Sequence, residues 1–123
     1  MKSALLTAIL SLLISVSAYA YDVETGSVMI CDTQSQVERY AQLFNGDPQV
    51  AIATVNGEEH DPNACAVADV TYVQGQELDI VRGQSHAFRV VPILVIAMNT
   101  PRGYREVKPA LFFTPVEVKE FAV

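Results

Sequence analysis

The chain has 123 residues, half of them hydrophobic, with a net charge of −6 and two cysteines. That length favours one compact domain over two, and eight basic against fourteen acidic residues provide no basic stripe, which disfavours nucleic-acid binding. The charge is uneven: positions 21–81 hold eleven acids and one base, Arg39, whereas positions 82–123 hold six bases and three acids.

Residues 1–20 read as a secretory signal: Lys2 supplies the positive start, Ala4–Val16 the apolar centre and Ala18-Tyr19-Ala20 the small-residue cleavage site. The apolar run is shorter than the roughly 18–20 residues a membrane span needs, so cleavage is expected rather than anchoring. No later stretch is long enough to span. The expected product is a single domain of residues 21–123, in the periplasm or secreted. In that oxidising setting Cys31 and Cys65 are expected to form one disulfide. The rival reading, a metal or redox pair, lacks both a CxxC and a histidine at ligand spacing.

Taken in order, Tyr21–Thr25 reads as a polar tail and Gly26–Cys31 as a short strand. Thr33-Gln34-Ser35-Gln36 fits a capping box, and Val37, Tyr40, Ala41 and Phe44 follow at the spacing of one helix face. Gly46 is a natural stop, so the first helix is expected over 33–45. Asp47-Pro48 offers an N-cap with proline in the first turn, which predicts a second helix over Gln49–Asn56, closed by Gly57. The β-branched Val50, Ile52, Thr54 and Val55 leave a strand open there. An acidic loop, Glu58–Asn63, leads to Cys65, so the disulfide would enclose the helical segment.

From Ala66 the period changes to two. Turn residues recur near every tenth position, the spacing of an antiparallel meander. Loops at Gln74–Gln76 and Gly83–Ser85 would set Tyr72 opposite Leu78, Val70 opposite Ile80 and Ile80 opposite Phe88, with an Asp79–Arg89 ion pair on the outer face. A four-residue loop, Thr100–Gly103, would set Leu94 and Ile96 opposite Pro109 and Val107. Thr114-Pro115 should interrupt the ladder, because proline cannot donate, leaving Val116–Phe121 as an edge strand or tail.

The most apolar stretch, Phe88–Met98, organises this sheet. From Val91 onward both parities are apolar: Val91, Ile93, Val95 and Ala97 on one, joined by Ala110 and Phe112 of the next strand, and Leu94, Ile96 and Met98 on the other. One helix layer cannot cover both faces. The second cover would be the sheet's own curvature, the tail Val116–Val123 or a partner. Pro92 marks the change of pattern and suggests a bulge or an edge. The expected fold is α+β: a short N-terminal strand and one or two helices, then a curved antiparallel meander of four or five strands, with one disulfide.

Three clusters carry chemistry-bearing residue types. Glu58, Glu59, His60 and Asp61 could hold a divalent cation, but their spacing fits no EF-hand, and a solvated loop is the expectation. Ser85, His86 and Asp79 supply the types of a hydrolase triad without a nucleophile-elbow sequence, so no catalytic residue, metal or cofactor is assigned and an enzyme is not expected. The turn Pro101-Arg102-Gly103-Tyr104-Arg105, with Lys108 nearby, is the best binding candidate, since Arg and Tyr dominate interface hot spots; Arg102, Tyr104 and Arg105 are the partner-binding candidates.

Cys31-Asp32-Thr33, Gln36-Val37-Glu38-Arg39-Tyr40, Val55-Asn56, Ala64-Cys65 and the Val70–Gly75 segment VTYVQG together resemble a small uncharacterised family of exported alphaproteobacterial proteins. The resemblance implies a signal peptide, a paired-cysteine domain and helical character for Pro48–Val55, and no activity. The functional expectation is a binding or inhibitory module acting by protein–protein contact. The alternative is a structural or envelope-associated accessory protein.

Overall fold

The structure, a computed structural model, describes residues 22–119. The expected signal peptide and the end of the expected tail, residues 120–123, lie outside the described residues. Five strands and two helices follow one another: β1 (Val23–Cys31), α1 (Gln34–Leu43), α2 (Pro48–Glu59), β2 (Cys65–Gln74), β3 (Asp79–Arg82), β4 (Ala87–Thr100) and β5 (Gly103–Glu117). No described helix is long and apolar enough to cross a membrane.

Local chemistry builds the helical hairpin. Thr33 caps α1: its hydroxyl accepts from the Gln36 amide at 3.2 Å, and the Gln36 side chain accepts from the Thr33 amide at 3.0 Å. Asp47 caps α2 by accepting from the amides of Gln49 and Val50, with Pro48 at the first helical position. α2 runs through Gly57 rather than ending there, and closes on His60 in the left-handed region at φ 55°. Its β-branched Ile52 and Val55 are buried, and that burial outweighs their preference for strands.

The hairpin is enclosed by the disulfide as expected: Cys31 and Cys65 are bonded and sit opposite one another in the β1–β2 ladder. Asn56 fastens its far end. The Asn56 amide nitrogen donates to the carbonyls of Pro62 and Cys65, at 2.9 and 3.0 Å, and its oxygen accepts from the Cys65 amide at 2.8 Å. Asn56→Ala is expected to cost about 1–3 kcal/mol, read from urea unfolding, because the Cys65 backbone loses both partners at a part-buried position.

The sheet is not a meander. Its order is β2-β1-β5-β4-β3, and β2 also pairs with β4, which closes four strands into a ring. The expected first hairpin is absent. Gly75 donates its amide to Pro92 and Leu78 donates to Val90, both at 2.8 Å, so the chain stays alongside β4 from β2 into β3. Glycine serves close approach here, not a turn: a Cβ on Gly75 would lie 2.9 Å from Pro92 Cγ. Pro92 therefore stands where the neighbouring strand is irregular, while β4 itself is bulged at Ile96 relative to β2.

The second hairpin has a loop one residue longer than expected, Gly83–His86, and this inverts the pairing. Val81 faces Phe88, and Ile80 faces Arg89. The Asp79–Arg89 pair does not form; Asp79 faces Val90, and Arg89 Nε meets Glu77 Oε1 at 3.1 Å. The third hairpin turns at Thr100–Gly103 as expected, with Asn99 opposite Tyr104. Beyond it Ile96 alone stands opposite Val107–Pro109, so Leu94 faces Leu111 rather than Pro109. Pro109, which has no amide to donate, lies inside that bulge. Thr114-Pro115 does not interrupt β5; Pro115 pairs with Val90 and the strand continues to Glu117. At the other end, β1 begins at Val23 and takes in part of the expected polar tail.

Two cores result. The helices pack Val37, Tyr40, Ala41, Phe44, Ile52 and Val55 against the outer face of the sheet at Cys31, Phe88 and Val90. Inside the ring Ile30, Val70, Ile93 and Val95 form a second buried cluster, flanked by Tyr72, Met98, Val107 and Phe112. The sheet's own curvature thus covers the second face of β4.

Candidate functional site

Alternation along a strand sends neighbouring side chains to opposite faces. With Ile93 and Val95 inside the ring, Leu94 must point outward, where it is 40% exposed. The ladders place Val23 opposite Val73, Val73 opposite Leu94 and Leu94 opposite Leu111. Four strands thus contribute one outward apolar row, Val23–Val73–Leu94–Leu111. Val23 is 57% and Leu111 58% exposed. Val73, Pro92, Leu94 and Leu111 also line an apolar depression of about 170 Å³, with Gly75 at its edge. The next outward row is mostly polar: Thr25 and Thr71 share a hydrogen bond at 2.9 Å, followed by Ala97 and Glu106.

The basic turn lies at the end of the same hairpin. Gly103 adopts φ 97°, and Thr100 closes the turn by donating its hydroxyl to the Gly103 carbonyl at 2.8 Å. Arg102, Tyr104 and Arg105 are exposed, and none of them forms a salt bridge among the described residues. They do not converge. Val107 packs against the ring interior, so by alternation Arg105 lies on that side. Tyr104 and Glu106 share the outward side with the apolar row.

The acidic loop is occupied by structural bonds. Glu58 takes a two-pronged contact from Arg39, at 3.0 and 2.9 Å, which holds its carboxyl below the usual range. Glu59 accepts from Gln36 Nε2 at 2.9 Å, His60 caps α2, and Asp61 accepts from the Asn63 amide at 2.8 Å. Partial desolvation and, secondarily, the Asp61 charge raise the carboxyl of Asp32 nearby. No group of three metal-ligating side chains occurs among the described residues.

His86 acquires a partner that is remote in sequence. Its Nδ1 lies 3.1 Å from Glu117 Oε2, because Phe88 pairs with Glu117 at the end of the β4–β5 ladder. The ring stands edge-on to Phe44 at 4.9 Å. The turn Gly83–His86 borders a cavity of about 270 Å³, which Ser85 and Gln84 also line. Asp79 is not part of this group; it lies at the far end of β3, with its carboxylate accepting from the Ile80 amide at 2.8 Å. Among the described residues no hydroxyl hydrogen-bonds the His86 imidazole, whose Nδ1 is anchored by Glu117.

Composition and spacing did not reveal the apolar row or the His86–Glu117 contact. The signal of the row was present in the alternation of Leu94 with Ile93 and Val95. Assembling it needed the β2–β4 pairing, which no local motif encodes. Comparison with protein-family models, curated proteins and solved structures finds no match for this chain.

Proposed function

We propose that this chain is a small exported binding module, periplasmic or secreted, that acts by protein–protein contact. The observation that carries the reading is the outward apolar row Val23–Val73–Leu94–Leu111, exposed at Val23, Leu94 and Leu111 and half-buried at Val73, on the part of the sheet's outer face that the helices leave bare. Contiguous apolar surface ringed by polar groups is characteristic of interaction sites, and Tyr104 on the same side is a residue type favoured at hot spots. Arg102 at the tip of the same hairpin adds an exposed cation suited to steering an acidic partner, whereas Arg105 lies on the opposite side of the strand.

The test is capture of partners from periplasm and medium by the purified protein, compared with Leu94→Asp/Leu111→Asp and Arg102→Ala/Tyr104→Ala variants that retain the native circular dichroism. Partners held by the parent and lost by the first variant support the reading. Identical capture by all three proteins would show that this face is not the interface.

A further inference from the structure

The sheet's edges are not equally protected. Exposed edges usually carry lysine, proline or bulges that prevent pairing with another chain. β5 carries Arg105, Lys108 and Pro109 with a bulge. β3 is four residues long, and the start of its turn lies against α1: a Cβ on Gly83 would sit 2.6 Å from the Ala41 carbonyl oxygen. β1 has none of these devices. It pairs with β2 through nine consecutive residues without a register shift, and among the described residues its ladder with β5 is the single pair Cys31–Phe113. Between Val23 and Ile30 it contains no Lys, Arg or Pro.

The ladder also gives the direction of the open backbone groups. The Cys31–Cys65 pair has a Cα separation of 4.1 Å, that of a non-hydrogen-bonded pair. Counting back by twos, Met29, Ser27, Thr25 and Val23 turn their amides and carbonyls away from β2. The Met29 carbonyl agrees: on that side it accepts the Thr114 hydroxyl at 2.7 Å. Among the described residues Val23, Thr25 and Ser27 remain as the donors and acceptors at the edge.

We propose that β1 is an association edge, and that its occupant is β1 of a second copy, antiparallel about a two-fold axis at Thr25. Both face and hydrogen bonding require odd residues to meet odd residues. The axis at Thr25 uses the three free positions and leaves Met29 with its own partner. Val23 then faces Ser27 of the copy, and Glu24 faces Gly26, so no like charges stand opposite each other. The two apolar rows lie on the same face of the joined sheet, one on each side of the axis, an isologous arrangement that closes after two copies.

Sedimentation velocity of the purified protein across a concentration series tests this, together with Ser27→Pro and Thr25→Cys. Proline at 27 removes an outward amide and leaves the β2 ladder intact. The expected results are a reversible dimer, a dissociation constant at least about tenfold weaker for Ser27→Pro, and air oxidation of Thr25→Cys to a covalent dimer in higher yield than Thr54→Cys on α2. Thr25→Cys decides the matter if Ser27→Pro fails to fold. A parent protein monomeric up to about 1 mM, or equal cross-linking at both cysteines, overturns the proposal. Binding of an unrelated strand by a chain that stays monomeric overturns the assignment to a second copy.

Discussion

Ile93→Ala is expected to lower stability by about 2–5 kcal/mol, whereas Leu94→Ala next to it costs less than about 1 kcal/mol. Both are large aliphatic residues in the middle of β4. Ile93 is fully buried in the ring with Ile30, Val70 and Val95, and Leu94 is 40% exposed on the outer face. Truncating Ile93 removes buried carbons and leaves a cavity whose walls are held by the ladders on both sides. Truncating Leu94 exposes little that water does not already reach. Chemical denaturation at constant m-value measures both, and equal losses would mean that β4 is covered alike on its two faces.

The second large effect is that of the cross-link. Replacing Cys31 and Cys65 together by alanine is expected to cost roughly 4 kcal/mol, because the bond closes a loop with a sequence separation of 34. That is a large part of the roughly 5–15 kcal/mol typical of a folded domain. The bond ties α1 and α2 to the sheet at both ends of their loop, and Cys31 is also the residue through which β1 meets β5. The loss should appear as a lower denaturation midpoint in the double variant than in the parent, with reduced parent matching the variant. A change within about 0.5 kcal/mol, the range of an ordinary surface substitution, would mean that the ladders alone hold the ring.

Local chemistry made part of this fold legible. Thr33 with Gln36, and Asp47 with Pro48, mark the two helix starts because a cap is written in four adjacent residues. The Thr100–Gly103 turn is similarly local. The bulge at Val107–Pro109 shifts the β4–β5 register by two, which preserves side-chain parity, so Ala110 and Phe112 still share a face with Val95 and Ile93.

The sequence is ambiguous where one residue type serves two purposes. Gly75 reads as a turn, yet it lets the backbone pass close to Pro92. A one-residue difference in the loop before Ala87 moved Arg89 from Asp79 to Glu77. For the candidate surface, the exposure of Arg102, Tyr104 and Arg105 follows from the turn, but the divergence of Tyr104 from Arg105 follows from strand alternation. The apolar row and the His86–Glu117 contact depend on pairings between distant segments, which composition and periodicity do not specify.

Closure of the ring through β2 and β4 accounts for the second core, the outward row and the open β1 edge together. Interstrand proton–proton Overhauser contacts test it most directly. The fold predicts cross-peaks linking Val73 with Leu94 and Val70 with Met98. Cross-peaks linking Tyr72 with Leu78 and Val70 with Ile80 would instead establish a β2–β3 hairpin and contradict the closed sheet.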